Sequence, residues 1–514
     1  MTVAKLIIIG AGCTPVVCCA ALTPATGCEH TKVETMNDCC TPSTNGGSSR
    51  YDLVVVGAGS AGFSAAITAA EQGAHVALVG HGTIGGTCVN IGCVPSKTLI
   101  RATETVHHAN AAPARFDGIE SSARVVDWAA QVAQKDALVA SLRQAKYADL
   151  LSEYNNIAYR EGRARLVEGG VDVDGQRLVS DRIIIATGAR PALPTIPGIA
   201  EVAPLDSTTA LSLKQLPRSM IVLGGGYIGA ELAQTFARAG VAVTLVFRSR
   251  LLPESEPEIG SALAGYLADE GITVIGNLIY DAVRKTENGD VALAVVRDGY
   301  PETLTAERIL VATGRTPNTE TLGLVEAGVA HTPSGAIIVD DRMLTSRTGV
   351  YAAGDVTGKD QFVYMAAYGA KLAARNALNS NSLRYDNTTM PAIVFTDPQV
   401  ASVGFTESQA RVAGYAVRTS VLSLDNVPRA LAARDTRGLI KLIADGVTRK
   451  LLGAHILAPE GADSIQTAAL AIRCGLTIDD LSETIFPYLT TVEGLKLAAQ
   501  TFDRDVKKLS CCAG

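Results

Sequence analysis

Two stretches of the chain repeat one pattern of apolar and small residues. The first runs Asp52-Leu53-Val54-Val55-Val56, then Gly57-Ala58-Gly59-Ser60-Ala61-Gly62, an alanine-rich segment, and a second apolar run from His75 to Val79. The other runs Met220-Ile221-Val222-Leu223, then Gly224-Gly225-Gly226-Tyr227-Ile228-Gly229, another alanine-rich segment, and a second apolar run from Ala242 to Phe247. Unbroken apolar runs, without polar alternation, predict strands buried on both faces of a parallel sheet. In each unit a GxGxxG stands between strand and helix, the context that makes this otherwise weak motif informative. Gly57 and Gly59, like Gly224 and Gly226, permit a tight turn and close approach of the backbone to a pyrophosphate. Gly62 and Gly229 let the helix lie close to the strand, and the helix N-terminus offers N–H donors and a positive dipole.

The repeat predicts an α/β chain with two Rossmann-like dinucleotide-binding domains. Ile183-Ile184-Ile185-Ala186-Thr187-Gly188 and Ile309-Leu310-Val311-Ala312-Thr313-Gly314-Arg315 echo each other as apolar strands ending in Ala-Thr-Gly. They suit an exit from one nucleotide domain and a return from the other. The expected division is 51–195 with 317–385 for the first domain, 196–316 for the second, and an α+β domain over 386–514. Residues 1–50 differ from the rest and close on Thr41-Pro42-Ser43-Thr44-Asn45-Gly46-Gly47-Ser48-Ser49, a linker-like string. They read as a poorly ordered, cysteine-containing arm.

A length of 514 residues suits several domains. The net charge of -6 argues against nucleic acid or an anionic membrane surface as partner. Six of the eleven cysteines fall in the first forty residues, and the other five are Cys88 with Cys93, Cys474, and Cys511 with Cys512. That clustering fits thiol or metal chemistry in a reducing cytoplasm better than a secreted disulfide framework. Gly10, Gly12 and Pro15 interrupt the apolar run after Lys5, which argues against an export signal, and no stretch suits stable membrane insertion.

Between the first nucleotide unit and the next expected helix lies Gly85-Gly86-Thr87-Cys88-Val89-Asn90-Ile91-Gly92-Cys93-Val94-Pro95-Ser96-Lys97. Two cysteines so close at a helix N-terminus suit a small-ring redox disulfide, because that position lowers a thiol pKa and favours thiolate. From Tyr51 onward the chain resembles the pyridine nucleotide-disulfide oxidoreductases, which include glutathione reductase, dihydrolipoamide dehydrogenase and mercuric reductase. The resemblance implies FAD in the first domain, NADPH in the second, and a homodimer held by the C-terminal domain. It places Cys93 against the flavin as the charge-transfer thiolate and Cys88 as the exchanging thiol, with Lys97 near the flavin and paired with Glu231. Gly82, Thr87, Ala164, Val363, and Asp355 of Tyr351-Ala352-Ala353-Gly354-Asp355 match family positions that contact the flavin nucleotide.

Three departures from that pattern carry information. The first unit's second strand runs into Leu78-Val79-Gly80-His81, with Gly80 where an acidic residue for the adenosine ribose is usual. In the second unit Phe247 takes the acidic position, followed by Arg248 and Arg250, a pattern that suits the 2′-phosphate of NADPH. Disulfide reductases of the family carry a His-Pro-Thr segment whose His, oriented by a downstream Glu, protonates the departing thiolate. Here Phe486-Pro487-Tyr488-Leu489-Thr490-Thr491-Val492-Glu493 keeps Glu493 but has Tyr488 at the base position. A phenol with a pKa of about 10 is a poor proton shuttle at neutral pH.

The chain ends Leu509-Ser510-Cys511-Cys512-Ala513-Gly514. Adjacent Cα atoms lie about 3.8 Å apart, below the disulfide range of about 4.4–6.8 Å, so this pair should remain as thiols. Two adjacent soft donors suit a thiophilic ion. Within the family these features resemble the mercuric reductases. That resemblance implies that Cys511 and Cys512 take Hg(II) from exterior thiols and pass it to Cys88 and Cys93, with Tyr147 and Tyr488 lining the inner site. The dimer then has composite active sites, with Tyr488 and Glu493 completing the partner's. Cys13, Cys18, Cys19, Cys28, Cys39 and Cys40 lack the metal-binding loop of the family's N-terminal domain, so no such role is transferred to them. The alternatives are a disulfide reductase of the dihydrolipoamide dehydrogenase type and a metal-sequestering thiol protein, the latter leaving both dinucleotide units without purpose.

Overall fold

A computed structural model of the chain describes residues 49–508. The six cysteines of the first forty residues and the Cys511–Cys512 pair lie outside the described residues. Leu53–Val56 is a strand at the centre of a five-stranded parallel sheet, flanked by Ile183–Ile185 and then Val350–Ala352 on one side, and by Val76–Gly80 and then Ile157–Glu161 on the other. Every residue of Leu53–Val56 and of Ile183–Ile185 is buried, because helices Ser60–Ala70 and Val363–Leu378 pack over the sheet. Small side chains allow this closeness: Ala61, Ala65, Ala66 and Ala69 of the first helix share the core with Ala370, Ala373 and Ala374 of the second.

The same arrangement recurs. Ser219–Leu223 lies between Ala242–Val246 and Arg308–Val311 in a four-stranded parallel sheet with Thr273–Ile275 at its edge. A three-stranded antiparallel sheet, Leu278–Lys285, Val291–Arg297 and Tyr300–Ala306, packs onto it. Both Ala-Thr-Gly segments therefore follow the strand next to their unit's first strand. Beyond them Ala189–Pro191 and Arg315–Pro317 pair antiparallel, where the chain leaves the first nucleotide unit and returns.

From Ala392 onward the chain forms a five-stranded antiparallel sheet in the order Ala392–Val394, Gln399–Gly404, Leu451–Ala458, Leu439–Asp445, Val417–Ser423. Helices Gly461–Arg473 and Glu493–Gln500 pack on it. The long helix Cys93–Arg115 leaves the first nucleotide unit and runs along helix Tyr227–Arg238 of the second. Its Leu99 joins a core with Trp128, Leu232 and Phe236, to which Val394 and Leu457 of the antiparallel sheet contribute. Ion pairs reinforce this junction. Arg238 meets Glu270 at 2.6 Å and Asp397 at 2.9 Å, while Arg437 meets Asp435 at 2.8 Å and Asp397 at 3.1 Å. Among the described residues no helix is long and apolar enough to cross a membrane.

Candidate active site

The two glycine-rich turns are superimposable in their contacts. A Cβ on Gly57 would lie 2.2 Å from the Ala186 carbonyl oxygen, and one on Gly224 would lie 2.3 Å from that of Ala312. Both glycines have positive φ, 117° and 127°, which only glycine adopts without strain. A Cβ on Gly62 would strike the Gly57 carbonyl at 1.7 Å, and one on Gly229 the Gly224 carbonyl at 1.9 Å. By contrast the space beside Gly226 is open, and a Cβ on Gly59 would meet only Gly86 Cα at 3.4 Å. Gly59 and Gly226 are also the N-caps of their helices, and no side chain caps either one. Unfilled space beside uncapped helix N-termini is what a pyrophosphate needs, so both cradles fit a dinucleotide.

Cys88 lies in a short helix, Gly86–Ile91, and Cys93 opens the next, Cys93–Arg115. Asn90 fixes the first of these: its amide donates to the Ile84 and Gly86 carbonyls at 2.9 and 2.8 Å, and its oxygen accepts from Arg143 at 3.1 Å. The two thiols are hydrogen-bonded to each other and their acidities diverge. Cys93 is pushed down to about 7, chiefly by the hydrogen bond from Cys88 and further by Lys97, against burial and Glu231. Cys88 moves far up, because it holds the proton of that bond and is itself buried. The pair thus consists of a Cys93 thiolate receiving a hydrogen bond from a Cys88 thiol.

Lys97 stands one helical turn beyond Cys93, and its Nζ donates to Glu231 Oε2 at 2.7 Å. The other oxygen of Glu231 accepts the Phe395 backbone N–H at 2.9 Å, and the Lys97 ammonium lies 4.8 Å from the centre of the Phe395 ring. Tyr147 sits in a π-helical turn, Gln144–Ala148. Its hydroxyl lies 3.2 Å from Ser60 Oγ in the first glycine-rich turn, and its ring packs on Phe63 and against Gly85. Burial raises its pKa, the hydrogen bond with Ser60 opposes that rise, and the electrostatic influence of the cysteine pair adds to it.

The remaining expected positions are dispersed around this centre. Thr87 adjoins Cys88, and Gly82 lies on the loop leading to it. Ala164 is buried at the start of strand Ala164–Val167, and Val363 is the first residue of helix Val363–Leu378. Asp355 faces Arg315 at 3.5 Å, and burial raises its pKa against the pull of that guanidinium. Arg248 is exposed, close enough to Tyr280 for its charge to oppose the upward shift of that buried phenol. Arg250 is differently placed: its guanidinium donates to the carbonyls of Pro253 and Ser255, the latter at 2.7 Å, and so braces the loop after the strand. Phe247 is buried between two glycines. A Cβ on Gly225 would lie 2.8 Å from its ring, and one on Gly276 2.5 Å. Glu493 is buried and accepts the Leu489 N–H at 3.3 Å, bracing the loop that carries Tyr488. Tyr488 itself is half exposed, beside Ile485 at 95% exposure.

One further residue, Tyr364, is not singled out by the motifs. Tyr227, Phe362 and Tyr364 form a row of rings with centroids 5.8 and 5.4 Å apart. Tyr364 is raised in pKa by burial, with the Cys93 charge among the further causes. The signal available was the Phe362-Val363-Tyr364 spacing at a helix start, in a chain with only 5% aromatic residues.

Comparison with known proteins follows this geometry. Residues 51–374 match the model of the pyridine nucleotide-disulphide oxidoreductases, and residues 390–499 match the dimerisation domain of the same group. The chain belongs to this family. It is 48% identical over 467 residues to a mercuric reductase of Lysinibacillus sphaericus, covering 90% of this chain and 85% of that one. A mercuric reductase of Streptomyces lividans is 47% identical over 471 residues, covering 90% and 98%. Among solved structures, the Cu(II) complex of the HOCl-induced flavoprotein disulfide reductase RclA from Escherichia coli aligns with a TM-score of 0.78 at 32% identity, over 88% of this chain and 99% of that one.

Proposed function

We infer that the protein is an FAD- and NADPH-dependent mercuric reductase that works as a homodimer in the cytoplasm. The observation that carries this reading is the Cys88–Cys93 pair, hydrogen-bonded and split in acidity, lying beside the Lys97–Glu231 pair that joins the two nucleotide units. The first cradle, with Gly57, Gly59, Gly62 and Asp355, would hold FAD, and the second, with Gly224, Gly226, Gly229 and Arg248, NADPH. When bound, the flavin relays two electrons from the nicotinamide to the thiol side.

The balance is NADPH + Hg(II) → NADP⁺ + H⁺ + Hg(0). The Cys93 thiolate and the Cys88 sulfur, once metal binding has displaced its proton to solvent, are two soft ligands for Hg(II). Reduction puts both electrons on the metal and frees the sulfurs without a proton having to reach a leaving thiolate. Tyr488 therefore suffices where a disulfide reductase needs an imidazole. Cys511 and Cys512 would receive Hg(II) from small thiols and hand it inward, and Tyr488 and Glu493 would complete the partner subunit's site. A reducing compartment that keeps four thiols free and supplies NADPH is the cytoplasm.

The test is NADPH oxidation by the purified yellow protein with Hg(II) in excess thiol, with volatile mercury collected. Stoichiometric mercury with negligible turnover of lipoamide or glutathione disulfide is the expected outcome. Turnover of either disulfide at the mercury rate would assign the chain to the disulfide reductases instead. Mercury retained without NADPH oxidation would leave only sequestration.

A further inference from the structure

Gly80 stands where a dinucleotide-binding strand usually ends in an acid that hydrogen-bonds the adenosine ribose. The space that such a side chain would enter is already taken. A Cβ on Gly80 would lie 2.4 Å from the hydroxyl oxygen of Tyr159 and 2.9 Å from Cβ of Ala58, the residue between Gly57 and Gly59. Tyr159 belongs to strand Ile157–Glu161, which pairs in parallel with Val76–Gly80 in the register Leu78 to Tyr159 and Gly80 to Glu161. Paired residues of a parallel sheet face the same side, about 4.8 Å apart. The tyrosine ring therefore crosses from the neighbouring strand and brings its hydroxyl to the lip of the glycine-rich turn. Glu161 lies on that face directly beside Gly80 and is exposed. Burial raises the Tyr159 pKa and the charge of Glu161 raises it further, so the hydroxyl keeps its proton. Within the described residues that hydroxyl has no hydrogen-bond partner.

We propose that Tyr159 and Glu161 together take over the role of the missing acid, recognising the adenosine ribose of FAD from the adjacent strand. The inference rests on FAD occupying the first cradle. It assigns a neutral hydroxyl, donor and acceptor at once, to the position next to the turn. The carboxylate acts one strand further out. An acid at position 80 would have to push the Tyr159 ring aside, so the two arrangements are alternatives at one place.

The test uses the deflavinated full-length protein, titrated with FAD and with the analogue carrying 2′,3′-dideoxyadenosine, following quenching of flavin fluorescence. Wild type should prefer FAD. Tyr159→Phe and Glu161→Gln should each shrink that preference about two- to tenfold, the range of one hydrogen bond, while affinity for the analogue stays near the wild-type value. An unchanged preference in both variants overturns the proposal. An unchanged preference in Glu161→Gln alone removes the carboxylate from it. If wild type bound neither flavin, the FAD assignment itself would fail, which is a separate result. Affinity for the analogue controls for folding, since a damaged cradle would lose both ligands equally.

Discussion

Lys97 and Glu231 are 134 positions apart in sequence, yet their side chains meet at 2.7 Å, tying the helix that begins with Cys93 to the helix behind the second glycine-rich turn. Glu231 is nearly buried, and its second oxygen is committed to the Phe395 N–H. Glu231→Ala leaves both donors unmatched and should lower stability by about 3 kcal/mol, read as a shift in urea midpoint. Glu231→Gln keeps an acceptor for Phe395 and should lose less. Equal losses in the two variants would show that the charge, rather than the hydrogen-bonding geometry, is what matters.

The divergent acidities of the thiol pair make a pH prediction. Cys93 is lowered, so its thiolate is present above about pH 7 and is lost as pH falls through that value. Iodoacetamide labelling of the reduced protein, read by peptide mass spectrometry, should therefore show a Cys93 midpoint near 7 and little reaction of Cys88. In Cys93→Ala the main cause raising Cys88 is gone, so Cys88 should label at distinctly lower pH than it does in wild type. Either single alanine variant should also abolish mercury reduction while retaining bound FAD. Wild-type turnover in either would remove the pair from the reaction.

The two arginines after Phe247 should separate. Arg248→Ala loses a charge-assisted phosphate contact of about 1.5–3 kcal/mol, which is roughly a ten- to hundredfold loss of NADPH affinity with little change for NADH. Arg250 braces the carbonyls of Pro253 and Ser255, so Arg250→Ala should weaken both nucleotides. Steady-state KM values for the two cofactors decide the matter. A NADPH-selective loss in Arg250→Ala would show that it too meets the phosphate.

Tyr488→His should slow mercury reduction without creating an efficient disulfide reductase, because an imidazole holds Hg(II) differently from a phenol. Unchanged mercury turnover would take Tyr488 out of the site.

The assignment of the C-terminal thiols to the partner's site can be tested by mixing two inactive variants, one lacking Cys88 and Cys93, the other lacking Cys511 and Cys512. Cys512 lies only 19 residues beyond Glu493. If the tail acts across the dimer, each mixed dimer has one intact site and activity with thiol-bound Hg(II) returns. A mixture that stays inactive, with mixed dimers demonstrated, would place the tail in its own subunit's site.

The sequence was most legible where one physical constraint acted alone. Strands buried on both faces must be wholly apolar, so Leu53–Val56 and Met220–Leu223 stood out. The turns after them needed glycine at fixed spacing. Strand ends shifted by only one residue: Val76–Gly80 and Ala242–Val246 replace the expected His75–Val79 and Ala242–Phe247. What stayed hidden depends on partners far away in the chain. That Arg250 is engaged with its own loop, that Phe247 is locked between Gly225 and Gly276, and that Tyr159 reaches over Gly80 all require the neighbouring strands to be in place. The Arg238–Asp397–Arg437 network was equally invisible, since its members are surface-type residues until three elements converge on them.

The clamp on Phe247 also constrains how this protein can change. The simplest way to win preference for a nicotinamide nucleotide without the 2′-phosphate is an acid at the end of that strand. Here such an acid would enter a slot closed on both sides by glycine and lined by apolar core, where an unpaired carboxylate costs several kcal/mol. An acid at 247 therefore carries a folding penalty against which any gain in nucleotide preference has to be set. Packing around position 247 thus works against a switch of electron source, independently of any contact with the nucleotide itself.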